Sequence, residues 1–329
     1  MNNNETEKGN PGQALVLLDA DHLIEFKESP QKGVGVFAKT NIPRGTRVIS
    51  EQALLEVDLE TVTLKNIVPA FERLPPSQQE SYLQLHGYES DLLKVAVKYD
   101  IGKSWQELPE LHRKVLSIYA VNAFGCVFFL GSRINHSCIP NSTFAYNESL
   151  KEETFHVIRD IMAGEELTVM YIDGINRTQS QRQAELDKWG FQCTCPAFED
   201  TSQGRQRDKK RAELFILDQK PAKTHFHTEG SCRRGLQIVQ RMAAIQKSEG
   251  LVNRQLRISY YDAARYCLEL KEHRMALLWA EKVLEVDLYC VGEDYPEYKK
   301  VLLIVEEMRN AVHGSKPLSE SSLEYFMRG

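Results

Sequence analysis

Three short stretches of the chain hold most of the side chains able to do chemistry. Residues 133–142, Arg-Ile-Asn-His-Ser-Cys-Ile-Pro-Asn-Ser, bring amide, imidazole and thiol groups into ten positions, so donors, acceptors and a metal ligand lie side by side. A plain turn explains part of this, because proline fixes the backbone and Asn141 and Ser142 can cap it. It explains less well why His136 and Cys138 sit there and why Arg133 precedes them. Tyr171 ends the run Glu166 to Tyr171, where a lone tyrosine most often packs. Trp189-Gly190-Phe191 then leads into Cys193-Thr194-Cys195, and a Cys-x-Cys pair cannot by itself complete a four-ligand thiolate site.

A fourth stretch, Gly33-Val34-Gly35-Val36-Phe37-Ala38, matches the outline of a dinucleotide fingerprint. That fingerprint needs a helix to open within it, yet Ile42-Pro43-Arg44-Gly45 follows within ten residues. There is room for a strand and a turn only. What remains is a glycine strand whose backbone a ligand can approach closely.

The elements that must position these groups change character along the chain. Residues 1–18 are polar and aperiodic and are expected to form a flexible tail. Strand patterns run through Leu23 to Phe26, Gly33 to Ala38 and Thr46 to Ile49, and return at Thr143 to Tyr146, Thr154 to Ile158 and Leu167 to Tyr171. Between them, residues 58–120 read as a helical insert with breaks at Pro69, Pro75-Pro76, Gly87, Gly102 and Pro109. Residues 201–211 are polar and basic and read as an exposed linker, with Arg205, Arg207, Lys209, Lys210 and Arg211 on a solvated surface. Over 212–329, apolar stripes at 256–267, 276–284 and 298–312 predict an all-α domain whose packing resembles tetratricopeptide helices. The fold class is therefore α+β, with short strands, a helical insert and a helical C-terminal domain.

Composition narrows the setting. An apolar fraction of 42% and a charged fraction of 26% suit a folded soluble chain. The net charge of -5 disfavours general nucleic-acid binding. Seven cysteines, an odd and sparse set, argue against a secreted disulfide framework. No secretory signal or membrane span is visible, so a cytoplasmic or nuclear monomer is expected.

Taken in order, the glycine strand, the Arg133 to Asn141 segment, Gly164-Glu165-Glu166-Leu167-Thr168-Val169-Met170-Tyr171 and Phe191-x-Cys193-x-Cys195 resemble the SET-domain protein lysine methyltransferases. The resemblance is nearest to the SET-and-MYND branch, which carries both a helical insert and a helical C-terminal domain. It covers residues 19–200, with 186–200 as a post-SET-like segment. The MYND zinc module is absent, because Val57 to Ala123 contains no cysteine.

The resemblance implies methyl transfer from S-adenosylmethionine to a lysine of a protein or peptide, histone or non-histone. Gly33, Val34, Gly35, Asn135, His136, Tyr171 and Phe191 would hold the cofactor, with Phe191 stacked on its adenine, and Tyr171 would be catalytic. It also implies one zinc on Cys138, Cys193, Cys195 and a third post-SET cysteine. That last position is Phe198 here, which leaves three thiolates; Cys232, His225 and His227 are the substitute ligands to consider. Cys138 is thus one corner of an incomplete zinc site or a buried thiol. The competing expectation is a catalytically inactive SET-fold interaction protein that binds partners through its helical domain. Methylation of a non-protein acceptor is a third.

Overall fold

The structure, a computed structural model, describes residues 22–57, 63–172, 177–219, 228–314 and 318–327. The expected tail at 1–18 and both His225 and His227 lie outside the described residues. Contacts divide the chain into two compact units, one built on residues 53–129 and the other on 23–52 with 130–329.

The smaller unit is the helical insert. Helices α1 (Leu64–Glu72), α2 (Pro76–Leu83), α3 (Asp91–Ile101) and α4 (Glu110–Asn122) are followed by a hairpin of β4 (Ala123–Phe124) and β5 (Cys126–Val127). Proline opens α2 at a position where no N–H is needed, and Gly102 ends α3 in the left-handed region at φ 77°. The expected break at Pro69 does not occur. Pro69 sits inside α1, because Ile67, Val68, Ala70 and Phe71 on the buried side of that helix outweigh the roughly 3 kcal/mol that an interior proline costs.

In the larger unit, β1 (Ile24–Ser29), β2 (Gly33–Ala38), β9 (Glu166–Val169) and β6 (Asn135–His136) form one sheet in the order β1-β2-β9-β6. A second sheet has the order β3-β8-β7, from β3 (Arg47–Glu51), β7 (Ser142–Asn147) and β8 (Glu152–Val157). All six strands anticipated from the alternation pattern are present. Helix α5 (Gln179–Leu186) leads into residues 186–200, and α6 (Ser202–Asp218), α7 (Glu229–Ser248), α8 (Arg254–Glu269), α9 (His273–Val291), α10 (Pro296–Val312) and α11 (Glu320–Met327) complete the unit. Helix α9 packs on β7 and β8, and Ala145 and Ile158 join its core with Ala280, Val283 and Val286.

Residues 201–211 are not a linker. They are the cap and first turns of α6, where the Thr201 side chain accepts the Gly204 N–H at 3.0 Å. Gly204, Arg211, Leu214 and Leu217 are its buried residues, so Arg211 is an interior side chain rather than part of a basic surface. Hydropathy hid that face because it carries an arginine and a glycine.

One pair of acids is built into the second sheet. Glu51 and Glu153 face each other in register across β3 and β8, and both are buried. Burial first, then the charge of Glu51, pushes the Glu153 carboxyl up to about 8. Its proton is bound more tightly in the folded chain than in the unfolded one, so stability is full below about 4.5 and is lost as pH climbs to about 8. Thermal melts across that window are expected to show this fall, and Glu153→Gln should flatten it by an amount on the order of 2–4 kcal/mol; equal pH slopes for the two proteins would disprove the pairing.

Candidate active site

The site exists because two segments some thirty residues apart in the chain run side by side. Asn135 pairs with Thr168 and His136 with Val169 in parallel register, and the Ser137 N–H donates to the Val169 carbonyl at 2.9 Å. Asn141 locks the crossing. Its Nδ2 donates to the Glu166 carbonyl at 2.8 Å and to a Glu165 carboxylate oxygen at 3.2 Å. Its Oδ1 accepts the Thr168 N–H at 2.7 Å. Read from sequence, Asn141 was ordinary turn chemistry; in the structure it is a buried side chain doing what a strand backbone would do.

The glycine strand meets this crossing at Gly35. A Cβ there would lie 2.6 Å from a Glu166 carboxylate oxygen and 3.0 Å from Asn135 Nδ2, so only glycine lets these two side chains close on the strand at this point. Asn135 Nδ2 donates to Glu166 at 2.8 Å and approaches the Val34 carbonyl at 3.4 Å. Lys32 pairs with the other Glu166 oxygen at 3.1 Å. Glu166 carries no local signature of a site residue; its wedge against Gly35 is created by the fold.

His136 and Tyr171 sit together at the end of the crossing. The Tyr171 N–H donates to His136 Nδ1 at 3.0 Å, which places the ring proton on Nε2. Burial lowers His136 to about 4, with Arg182, Lys32 and Arg211 acting in the same direction against Cys195, so the ring is neutral. The Tyr171 hydroxyl donates to the Ile134 carbonyl at 2.7 Å; burial, then the charge of Glu166, raises it, and it stays protonated. Phe191 stands 6.1 Å from the His136 ring and 6.5 Å edge-on from Tyr171, and Trp189 lies 5.6 Å from Tyr171. All the residues expected at the cofactor site therefore belong to one contiguous patch, Gly33 and Val34 through the strand that carries Gly35.

Cys138, Cys193 and Cys195 also converge, in a buried cluster with Ile172, Leu186 and Ala197. The Cys138 N–H donates to Cys195 Sγ at 3.4 Å. Hydrogen bonding from Cys138, then from Cys193, holds Cys195 far below an ordinary thiol, while the same contacts hold Cys138 far above one. Two buried arginines flank the cluster: Arg211 donates to the Cys138 carbonyl at 2.6 Å, and Arg182 lies 5.1 Å over the Phe198 ring. Cys232 is elsewhere, packed with Val239, Ala263 and Tyr266.

Residues 33–172 match the SET domain, and the pairing of strands around Asn135, His136 and Tyr171 lies within them; the chain carries a SET domain and is similar to SET-domain lysine methyltransferases. Among curated proteins it is similar to the histone-lysine N-methyltransferase set5 of Schizosaccharomyces pombe, with 29% identity over 85% of this chain and 83% of that one. It is 27% identical to the N-lysine methyltransferase SMYD2 of Gallus gallus over 50% of this chain and 42% of that one. Among solved structures, the SET domain of LSMT bound to lysine and AdoHcy covers 88% of each chain at 11% identity and a TM-score of 0.34.

The cysteine cluster can now be tested against zinc. His136, Cys138 and Cys193 put their ligand atoms within 4.8 Å of one another, and His136 Nε2 lies 3.3 Å from Cys138 Sγ. That nitrogen carries the proton, so it donates to the sulfur and has no lone pair for a metal. The described residues then supply three soft sulfur donors where a structural zinc takes four ligands. Such a set leaves one position open and is expected to hold zinc less firmly than a closed four-ligand site. Metal analysis of the purified protein is expected to find less than one zinc per chain, removable by mild chelation without unfolding; one tightly held zinc per chain would reverse this conclusion.

Proposed function

We propose that the chain transfers a methyl group from S-adenosylmethionine to the side chain of a protein lysine. The observation that carries this is the convergence of the glycine strand, Asn135, His136, Tyr171 and Phe191 on one patch whose hydrogen bonds use almost no local turn chemistry. Gly33, Val34 and Gly35 offer uncovered backbone, Asn135 and His136 offer polar groups, and Phe191 offers a ring face for an adenine. Glu166 adds a carboxylate beside Gly35, which suits a cationic ligand. Bound there, S-adenosylmethionine supplies an electrophilic methyl group on a sulfonium.

The chain's own residues do the rest by alignment. A lysine in water has a pKa of about 10.4 and must arrive neutral; an apolar approach next to a positive charge disfavours the ammonium on both counts. No strong base is present: His136 is neutral with its Nδ1 engaged, and Tyr171 is protonated. The Tyr171 hydroxyl donates its proton to the Ile134 carbonyl, which fixes the direction of its oxygen so that it can face an incoming amine and aim the nitrogen.

Given the activity named for the fission-yeast relative, histones are the first acceptors to assay, with whole-cell extract beside them for non-histone substrates. The opposing reading, an inactive SET fold that recognises partners through α6 to α11, draws on the loss of the third post-SET cysteine at Phe198. Calorimetry with S-adenosylmethionine separates the two, since folded protein that binds none is not the enzyme. Tyr171→Phe is expected to fold, to lose about 1 kcal/mol of stability with its hydrogen bond, and to transfer labelled methyl at least about a hundredfold more slowly; an unchanged rate would remove Tyr171 from the mechanism.

A further inference from the structure

Glu51 is buried, and no reading of motifs marks it. Its two carboxylate oxygens accept the N–H groups of consecutive residues, Leu130 at 3.0 Å and Gly131 at 2.5 Å. Those residues start the tight turn Gly131–Arg133, in which the Arg133 N–H returns to the Leu130 carbonyl and the Ile134 N–H to the Gly131 carbonyl. Ile134 then presents its own carbonyl to the Tyr171 hydroxyl at 2.7 Å. A continuous set of hydrogen bonds therefore runs from β3, in one sheet, to the tyrosine at the end of β9, in the other.

From this we infer that Glu51 is a positioning residue for Tyr171: it fixes the turn whose Ile134 carbonyl orients the tyrosine hydroxyl. The inference rests on the methyltransfer reading given above. Two features separate the carboxylate's role from general packing. Asn135 and His136 are held by their own pairing with Thr168 and Val169, whereas the Ile134 carbonyl, one residue earlier, depends on the turn. Gly131 fits the turn tightly against the acid, since a Cβ there would fall 2.5 Å from the Phe155 ring and 3.2 Å from a Glu51 oxygen. A carboxylate is the group suited to this bridge, because it accepts two N–H donors at once and has no hydrogen to turn toward either. Glu153, opposite in the sheet, is the internal control, buried to a similar degree but with no part in the turn.

Glu51→Gln keeps the size of the side chain and converts one acceptor into a donor facing an N–H. Expected for Glu51→Gln and for Gly131→Ala is a kcat lowered at least about tenfold, with the dissociation constant for S-adenosylmethionine within about threefold of wild type. A shift of 1 Å at a reacting group suffices for losses of about this size or larger. Glu153→Gln, assayed at pH 7, should keep kcat within about twofold whatever it does to the melting temperature. Three results overturn the inference: a folded Glu51→Gln with kcat within twofold of wild type, equal losses in Glu51→Gln and Glu153→Gln, or a loss that is entirely in cofactor binding. Should neither Glu51→Gln nor Gly131→Ala fold, amide hydrogen exchange on the wild-type protein decides. Leu130 and Gly131 protected as well as Thr154 of β8 support the bridge, and rapid exchange at either one rejects it. A wild-type protein that neither binds the cofactor nor transfers methyl removes the parent reading instead, and the exchange measurement still reports on the bridge.

Discussion

Two residues of parallel pairing, Asn135 and His136 against Thr168 and Val169, are the contact on which the rest of the site depends. A two-residue ladder is too short to persist by itself, and here it is bolted by a side chain. Asn141 takes up both the donors and the acceptors that a longer strand would have used, bonding the Glu166 carbonyl and the Thr168 N–H from a buried position. Once that crossing is in place, the Tyr171 N–H can reach His136 Nδ1 and Gly35 can lie against Glu166. Without it, the glycine strand, the histidine and the tyrosine are three unrelated stretches of chain.

The electrostatics of the patch follow from this close packing. Burial keeps His136 neutral and Tyr171 protonated, so neither can act as a strong base at neutral pH, and the Glu166 carboxylate beside Gly35 has Lys32 and Asn135 as partners. An arrangement of neutral donors and acceptors with one anion is suited to holding a cation and aligning an amine. It is poorly suited to hydrolysis, which would call for an activated water or a nucleophile with an adjacent base.

Much of this was legible in the sequence, and the exceptions share a cause. Strand alternation located six of the seven strands of the two sheets, missing the two-residue β6, and the apolar stripes over 256–312 located α8, α9 and α10, because each of those signals is local. The residues that converge at the patch were legible as motifs in the right order. What was missed is what only a fold can create. Glu51 and Glu166 look like strand-end acids in sequence, and their roles come from the distant backbone and side-chain groups they meet. Pro69 looked like a helix break until the burial of Phe71 and its neighbours was set against it. The basic run before 212 looked solvated because a buried arginine is rare, and Arg211 is one.

Arg211 also bears on how the sulfur cluster holds together with Phe198 where a fourth thiolate would stand. A missing ligand beside three buried sulfurs would leave a void and uncompensated negative charge. The Phe198 ring packs against the cluster with Arg182 over it, while Arg211, lowered to about 10 chiefly by burial, reaches in to the Cys138 carbonyl. A buried guanidinium costs less next to a sulfur that has given up its proton, and the low-lying Cys195 is such a sulfur. Charge and volume are thus both met by side chains. The segment that carries Trp189 and Phe191 is thus held against Tyr171 by ring packing and beside two buried arginines.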